Sequence, residues 1–150
     1  MTAERQVIYD DIPRWYSIAA SELGVHELAG VVNEPRIVEY HSATTLKATD
    51  DATPWCSAFA NWCMLRAGHV GTQSAAARSW AKWGDPLQLP KLGAVVVFSA
   101  DDRGPAAGHV SFFVRESGKN YLVLGGNQLG DKVCVAEYPK ARVIAVRWPK

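Results

Sequence analysis

The chain has 150 residues, which suits one domain spanning 1–150 and leaves too little length for two good cores. Hydrophobic residues make up 48% and charged residues 21%, so the chain is expected to fold rather than stay disordered. Sixteen Lys and Arg against fifteen Asp and Glu leave a formal charge of +1, without the basic excess of a nucleic-acid binder or a polybasic membrane binder.

The N-terminus, MTAERQVIYDDIPRW, has no basic segment leading into an apolar stretch, so no secretory leader is read and synthesis in the cytoplasm is expected. The longest apolar run, Gly93 to Phe98, is far short of the roughly 20 residues that cross a bilayer, so no membrane insertion is expected. Cys56, Cys63 and Cys134 cannot all pair, and they lack the CxxC brackets of a zinc site. No metal or organic cofactor is expected.

Helical patterns come first and strand patterns second, an order that predicts an α+β fold with an antiparallel sheet. Pro13 to about His26 reads as a first helix, with Trp15, Ile18, Ala19 and Leu23 at helical spacing and Gly24 loosening its end. Gly30 to Asp51 reads as a long irregular loop of the kind that often carries function. The best-defined helix follows, with Thr53 as N-cap, Pro54 at the first helical position and Gly68 after the last turn. A third helix is predicted over Gln73 to Trp83. From Gly93 the pattern changes to five short strands: Ala94–Phe98, His109–Arg115, Tyr121–Leu124, Val133–Glu137 and Val143–Trp148. Turn clusters at Asp101–Gly108, Ser117–Asn120, Gly130–Lys132 and Pro139–Lys140 bound them, as in a meander or small open barrel.

Cys56 is the most informative residue. With Thr53 as cap it is the third residue of a helix, where free backbone N–H groups and the positive end of the helix dipole favour a thiolate. A small buried hydrophobe is the competing reading of a free cysteine. Cys63 lies about 10.5 Å further along the same helix, too far to bridge Cys56, and reads as core; Cys134 reads as strand packing. Of four histidines, His26, His41 and His69 read as surface or capping residues. His109 follows Gly108 at a strand start, where it is either structural or a base within reach of a ligand. Pairing His109–Arg115 with Tyr121–Asn127 through a loop of four or five residues sets His109 opposite Gly126 or Asn127. Asn127 could then accept the imidazole N–H, unless GGNQ is simply a strand-ending turn. Together, a cysteine at a helix start, a histidine at a strand start and an asparagine across a hairpin follow the Cys-His-Asn logic of papain-like hydrolases.

The motifs resemble the NlpC/P60 and CHAP superfamily of papain-like cysteine hydrolases, in its small single-domain subgroup seen in phage lysins and bacterial genomes. The resemblance covers nearly the whole chain. It is carried by Asn33-Glu34-Pro35-Arg36-Ile37 with Tyr40, by Pro54-Trp55-Cys56-Ser57-Ala58-Phe59 with Asn61-Trp62-Cys63, by Ala77-Arg78-Ser79-Trp80 with Trp83-Gly84, by Pro90-Lys91-Leu92-Gly93, by Gly108-His109-Val110 and by Leu124-Gly125-Gly126-Asn127-Gln128. Two departures stand out: Ala94 replaces the acid that many relatives carry after the glycine, and at the third motif, where many NlpC/P60 members use a histidine and many CHAP members an acid near the asparagine, only Asn127 matches.

The resemblance implies helices packed on a roughly five-stranded antiparallel sheet, and a hydrolase cutting a peptide or amide bond of peptidoglycan. It implies Cys56 as nucleophile, His109 as general base and then acid, and Asn127 as the residue orienting His109, with Gln128 as its substitute. Trp55, Tyr40, Trp80 and Gln128 are the candidate walls of a groove for a peptidoglycan stem peptide. A monomer is expected, acting on the cell wall after release by a phage holin or delivery as a toxin; a delivered toxin would have an immunity protein as partner. Competing readings are a non-catalytic cell-wall binding module, a protein deamidase or transglutaminase-type toxin on the same scaffold, and a structural protein.

Overall fold

The computed structural model of the protein describes residues 12–30, 32–100 and 107–150. The N-terminal stretch 1–11 and most of the turn predicted at Asp101–Gly108 lie outside the described residues.

Helix α1 (Arg14–Ser21) is shorter than its apolar spacing predicts. Gly24 adopts φ +98 and its N–H donates to the Val133 carbonyl, so the chain leaves the helix to run beside the sheet. The predicted long loop holds a helix, α2 (Pro35–His41), that the sequence reading missed. Pro35 opens it, the Glu34 carboxylate accepts from the Arg36 N–H, and Ile37, Tyr40 and His41 are buried. The remaining loop is tied down by Asp51, whose buried carboxylate accepts from the N–H groups of Leu28 and Glu34.

Helix α3 (Cys56–Arg66) starts two residues later than predicted, because Thr53 is not its cap. The Thr53 hydroxyl and N–H both bond the Asp50 carboxylate, at 2.8 and 2.7 Å, which leaves Trp55 at the N-cap and makes Cys56 the first helical residue. Every residue from Cys56 to Met64 is buried, as expected of a helix enclosed on all sides. The predicted third helix is a 3-10 helix, Ala77–Lys82, ended before Gly84 at φ +63.

Six antiparallel strands follow: β1 (Asp85–Pro86), β2 (Val95–Ser99), β3 (Gly108–Ser117), β4 (Asn120–Gln128), β5 (Lys132–Pro139) and β6 (Val143–Trp148), in the order β1-β6-β2-β3-β4-β5. Thus β2 to β5 form the predicted meander, β6 returns to the far side of β2, and the two-residue β1 extends that edge. Helices α1 and α3 and the 3-10 helix cover one face over Val95, Val97, Val110, Phe112, Leu124 and Val133, and α2 packs against α3. Ala94, Val96, Phe98, Phe113 and Val123 form a smaller cluster on the other. Cover on both faces explains why β2 reads as one apolar run rather than an alternation.

Two irregularities set the register that matters. Ser117 pairs with Asn120 across a two-residue turn, and a bulge between Phe113 and Arg115 shifts the pairing to Phe112 with Leu124. Continuing that register past Phe112 sets His109 opposite Asn127. The second irregularity is in β4: from Gly125 to Gln128 it takes three steps while β5 takes two, from Cys134 to Lys132.

Candidate active site

Cys56 opens α3, so its own N–H and those of the next residues have no partner within the helix. Burial pushes the thiol up, but a hydrogen bond and charge from His109, with the N–H groups of Val110 and Ser57, outweigh it and hold Cys56 below the usual cysteine value. Cys63, two turns along the same helix, shows the contrast. Burial and the nearby Glu22 push it well above the usual value, against a smaller lowering by Arg66. All three cysteines are free.

His109 opens β3 and is buried. Its Nε2 lies 2.8 Å from Gln128 Oε1 and 2.7 Å from Ser111 Oγ, and Ser111 Oγ donates to the same Oε1 at 2.7 Å. The Gln128 amide is pinned at its other end, where Nε2 donates to the Cys134 carbonyl at 2.7 Å. That bond fixes Oε1 as the atom facing His109, and Oε1 only accepts. The proton of a neutral His109 therefore sits on Nε2, and Nδ1 is left unprotonated for the thiol. This is the tautomer a base needs.

Asn127 was expected in the position that Gln128 takes. The extra residue in β4 puts Asn127 at φ +58 and carries its side chain out of the pleat, so Gln128 reaches His109 instead. Among the described residues no hydrogen bond joins Asn127 to His109. Asn127 instead lines the clefts on both sides of His109. Gly125 is required beside this network: a Cβ there would sit 2.6 Å from Ser111 Oγ and 2.7 Å from Gln128 Oε1. A Cβ on Gly126 would meet the Trp55 ring at 2.7 Å and Phe59 Cβ at 2.9 Å, so that glycine lets α3 rest directly on β4.

The four expected groove residues are not groove walls. Trp55, Tyr40 and Trp80 are fully buried, and Gln128 is 1% exposed. Each finds an internal hydrogen bond, as a polar-tipped aromatic in a core must. Trp55 donates to Glu27, Tyr40 to Glu22 and Trp80 to Ser57. His41, read as a surface or capping residue, is also fully buried, and among the described residues neither ring nitrogen has a partner in hydrogen-bond geometry.

Two neighbours of His109 escaped the sequence reading. Ser111 stands two residues along β3 from His109, a polar side chain between Val110 and Phe112, and the period of two that puts both on one face was a usable signal. Tyr138, from β5, stacks on the imidazole with centroids 4.7 Å apart and planes 22° apart; nothing local in sequence pairs them. Among the described residues no group of three or more His, Cys, Asp or Glu could hold a metal ion. No helix there is long and apolar enough to cross a membrane.

The sequence model of the CHAP domain family matches residues 48–127, which takes in Cys56 and His109 and ends at Asn127. No curated protein matches the chain. CHAP domains are generally amidase or peptidase hydrolases with a papain-like fold, and the substrate they imply is peptidoglycan. The match spans more than half of the 150 residues and agrees with the helices and antiparallel sheet described above, so the chain belongs to the CHAP domain family.

Proposed function

We propose that the protein hydrolyses a peptide or amide bond of peptidoglycan through a Cys56–His109–Gln128 acyl-enzyme mechanism. The observation that carries this reading is His109, held through Nε2 by a pinned amide oxygen, lining one cleft with a Cys56 thiol at the start of α3. Cys56 sulfur attacks the carbonyl carbon, its proton passing to His109 Nδ1. The carbonyl oxygen gains charge beside the free N–H of Cys56, at the positive end of α3. The C–N bond breaks as the imidazolium protonates the departing amine, leaving a thioester. Water then attacks the thioester while His109 takes its proton, releasing the acid and restoring the thiol. Gln128 holds the tautomer throughout, and Tyr138 stacks against the ring when it carries charge. Asn127, on the rim between the two clefts, is positioned to bond the substrate backbone.

Action on the wall would follow release by a phage holin or delivery as a toxin, the latter with an immunity protein as partner. The deciding experiment digests purified peptidoglycan with the parent and with Cys56→Ala and identifies products by mass spectrometry. New fragments from the parent alone are expected. No fragments, or the same fragments from both, overturn the proposal, and ammonia release from protein glutamine with an intact wall would make the protein a deamidase.

A further inference from the structure

Two clefts flank the His109–Asn127 rim, and they differ in chemistry. One, of about 220 Å³, contains Cys56 and is walled by Ala75, Ala76, Ala77 and Ala107. The other, of about 310 Å³, contains His109 without Cys56 and is lined by Ser99, Asp131, Tyr138 and Arg142. Among the described residues no ion pair engages Arg142 or Asp131.

The proposed reaction tells the clefts apart. The acyl part becomes bonded to Cys56 sulfur, so it occupies the cleft that holds the thiol. The departing amine takes its proton from His109, so it occupies the cleft reached by the imidazole alone. We infer that the substrate has a small residue such as alanine on the acyl side, followed on the amine side by a residue with a free carboxylate that Arg142 binds. The methyl groups of Ala75, Ala76, Ala77 and Ala107 narrow that cleft to a small side chain. On the other side the guanidinium offers paired donors to a carboxylate. Asp131 faces the same cleft and suits the ammonium that forms once the C–N bond breaks.

This narrows the bond within a stem peptide. Cleavage after a γ-linked glutamyl residue is disfavoured, because that residue is larger than the alanine-walled cleft suits. The amide between sugar and first alanine is disfavoured too, because the carboxyl of that alanine is itself tied up in the next amide. Favoured are bonds after an alanine whose neighbour keeps a free carboxylate.

The inference rests on the hydrolase reading, and one experiment separates the two. Muropeptides carrying the free carboxylate on the residue after alanine are compared with the same muropeptides amidated there, using the parent, Arg142→Gln and Arg142→Lys. The parent should favour the free form by about tenfold or more in kcat/KM, as expected for a hydrogen bond to a charged group. Arg142→Gln should bring the ratio close to one by slowing only the free form, and Arg142→Lys should retain part of the preference. Equal rates by the parent, a preference that survives Arg142→Gln, or products ending in a γ-glutamyl residue would overturn the assignment while leaving the hydrolase intact. Absence of cleavage in every form removes the hydrolase reading and this inference with it.

Discussion

Gln128→Leu is the sharpest test of the site. The side chain is buried and makes three short polar contacts: Oε1 with His109 Nε2 at 2.8 Å, Oε1 with Ser111 Oγ at 2.7 Å, and Nε2 with the Cys134 carbonyl at 2.7 Å. A leucine removes all three and leaves the Cys134 carbonyl without this donor. At roughly 1 kcal/mol for each bond, and more for a buried group left unpaired, the fold should lose about 2–4 kcal/mol. The two contacts at Oε1 hold the tautomer and orientation of His109. Losing about 2–3 kcal/mol of that control lowers kcat by about 30- to 150-fold, at 1.36 kcal/mol per factor of ten. Gln128→Glu separates the two effects. Its carboxylate still accepts from His109 and Ser111 but faces the Cys134 carbonyl without a donor, so it should lose stability while keeping more of kcat than leucine does. Muropeptide hydrolysis followed beside chemical denaturation reads both quantities. The reasoning fails if Gln128→Leu keeps kcat within about threefold while Asn127→Ala loses about 100-fold in kcat.

Three further outcomes follow from the same structure. At a pH below the usual cysteine value iodoacetamide should modify Cys56 well before Cys63, because the Cys56 thiol titrates below that value whereas Cys63 titrates well above it; in His109→Ala the Cys56 rate at that pH should fall toward that of an ordinary thiol, so equal rates in parent and variant count against the pairing. Gly125→Ala drives a Cβ into Ser111 and Gln128 and should cost activity on the scale of Gln128→Leu, while Gly118→Ala, with open space but φ +60, should cost about 1–2 kcal/mol of stability and no activity; a fully active Gly125→Ala would contradict the network. Burial, partly offset by Asp50, holds His41 below the usual histidine value. The unfolded chain therefore takes up a proton near pH 6.5 that the folded chain refuses. The associated stability is intact above that pH and lost as pH falls toward the folded value, by up to about 1.4 kcal/mol per pH unit. His41→Leu should flatten that slope in denaturation midpoints between pH 7.5 and 5.5, and an unchanged slope would refute the assignment.

What the sequence revealed, and what it hid, follows the range of the forces involved. Helix α3 was legible because Gly68 and a dense apolar stretch are local signals. Its first residue was misplaced because Thr53 spends its hydroxyl on Asp50, an equally local bond that a capping rule does not weigh. Helix α2 was hidden by its brevity and by a glutamate cap in place of the usual short polar residue. The aromatic groove was misassigned because a tryptophan beside a nucleophile looks like a wall. Here the indole turns inward to Glu27 and stacks on Tyr40, a choice set by contacts 28 and 15 residues away in sequence. His109 was legible from its glycine and strand start; its partner was not.

That last failure carries the physical lesson of the site. Hairpin arithmetic set His109 opposite Gly126 or Asn127, and of its two loop lengths the five-residue one gives the Asn127 register. The protein reaches it with a two-residue turn and one bulged residue in β3, so the offsets coincide. No such coincidence protects the end of β4. There one extra residue between Gly125 and Gln128 reverses the parity of the strand, and a change of parity exchanges which side chain faces the imidazole. Asn127 accepts the left-handed backbone the bulge demands, at less cost than most residues, and so makes the bulge possible. Gln128, one bond longer, then spans from His109 to the Cys134 carbonyl, a reach that fixes its amide orientation and through it the histidine proton. The two residues of the motif thus have separate duties. Asn127 shapes the backbone and faces the clefts, while Gln128 controls the base.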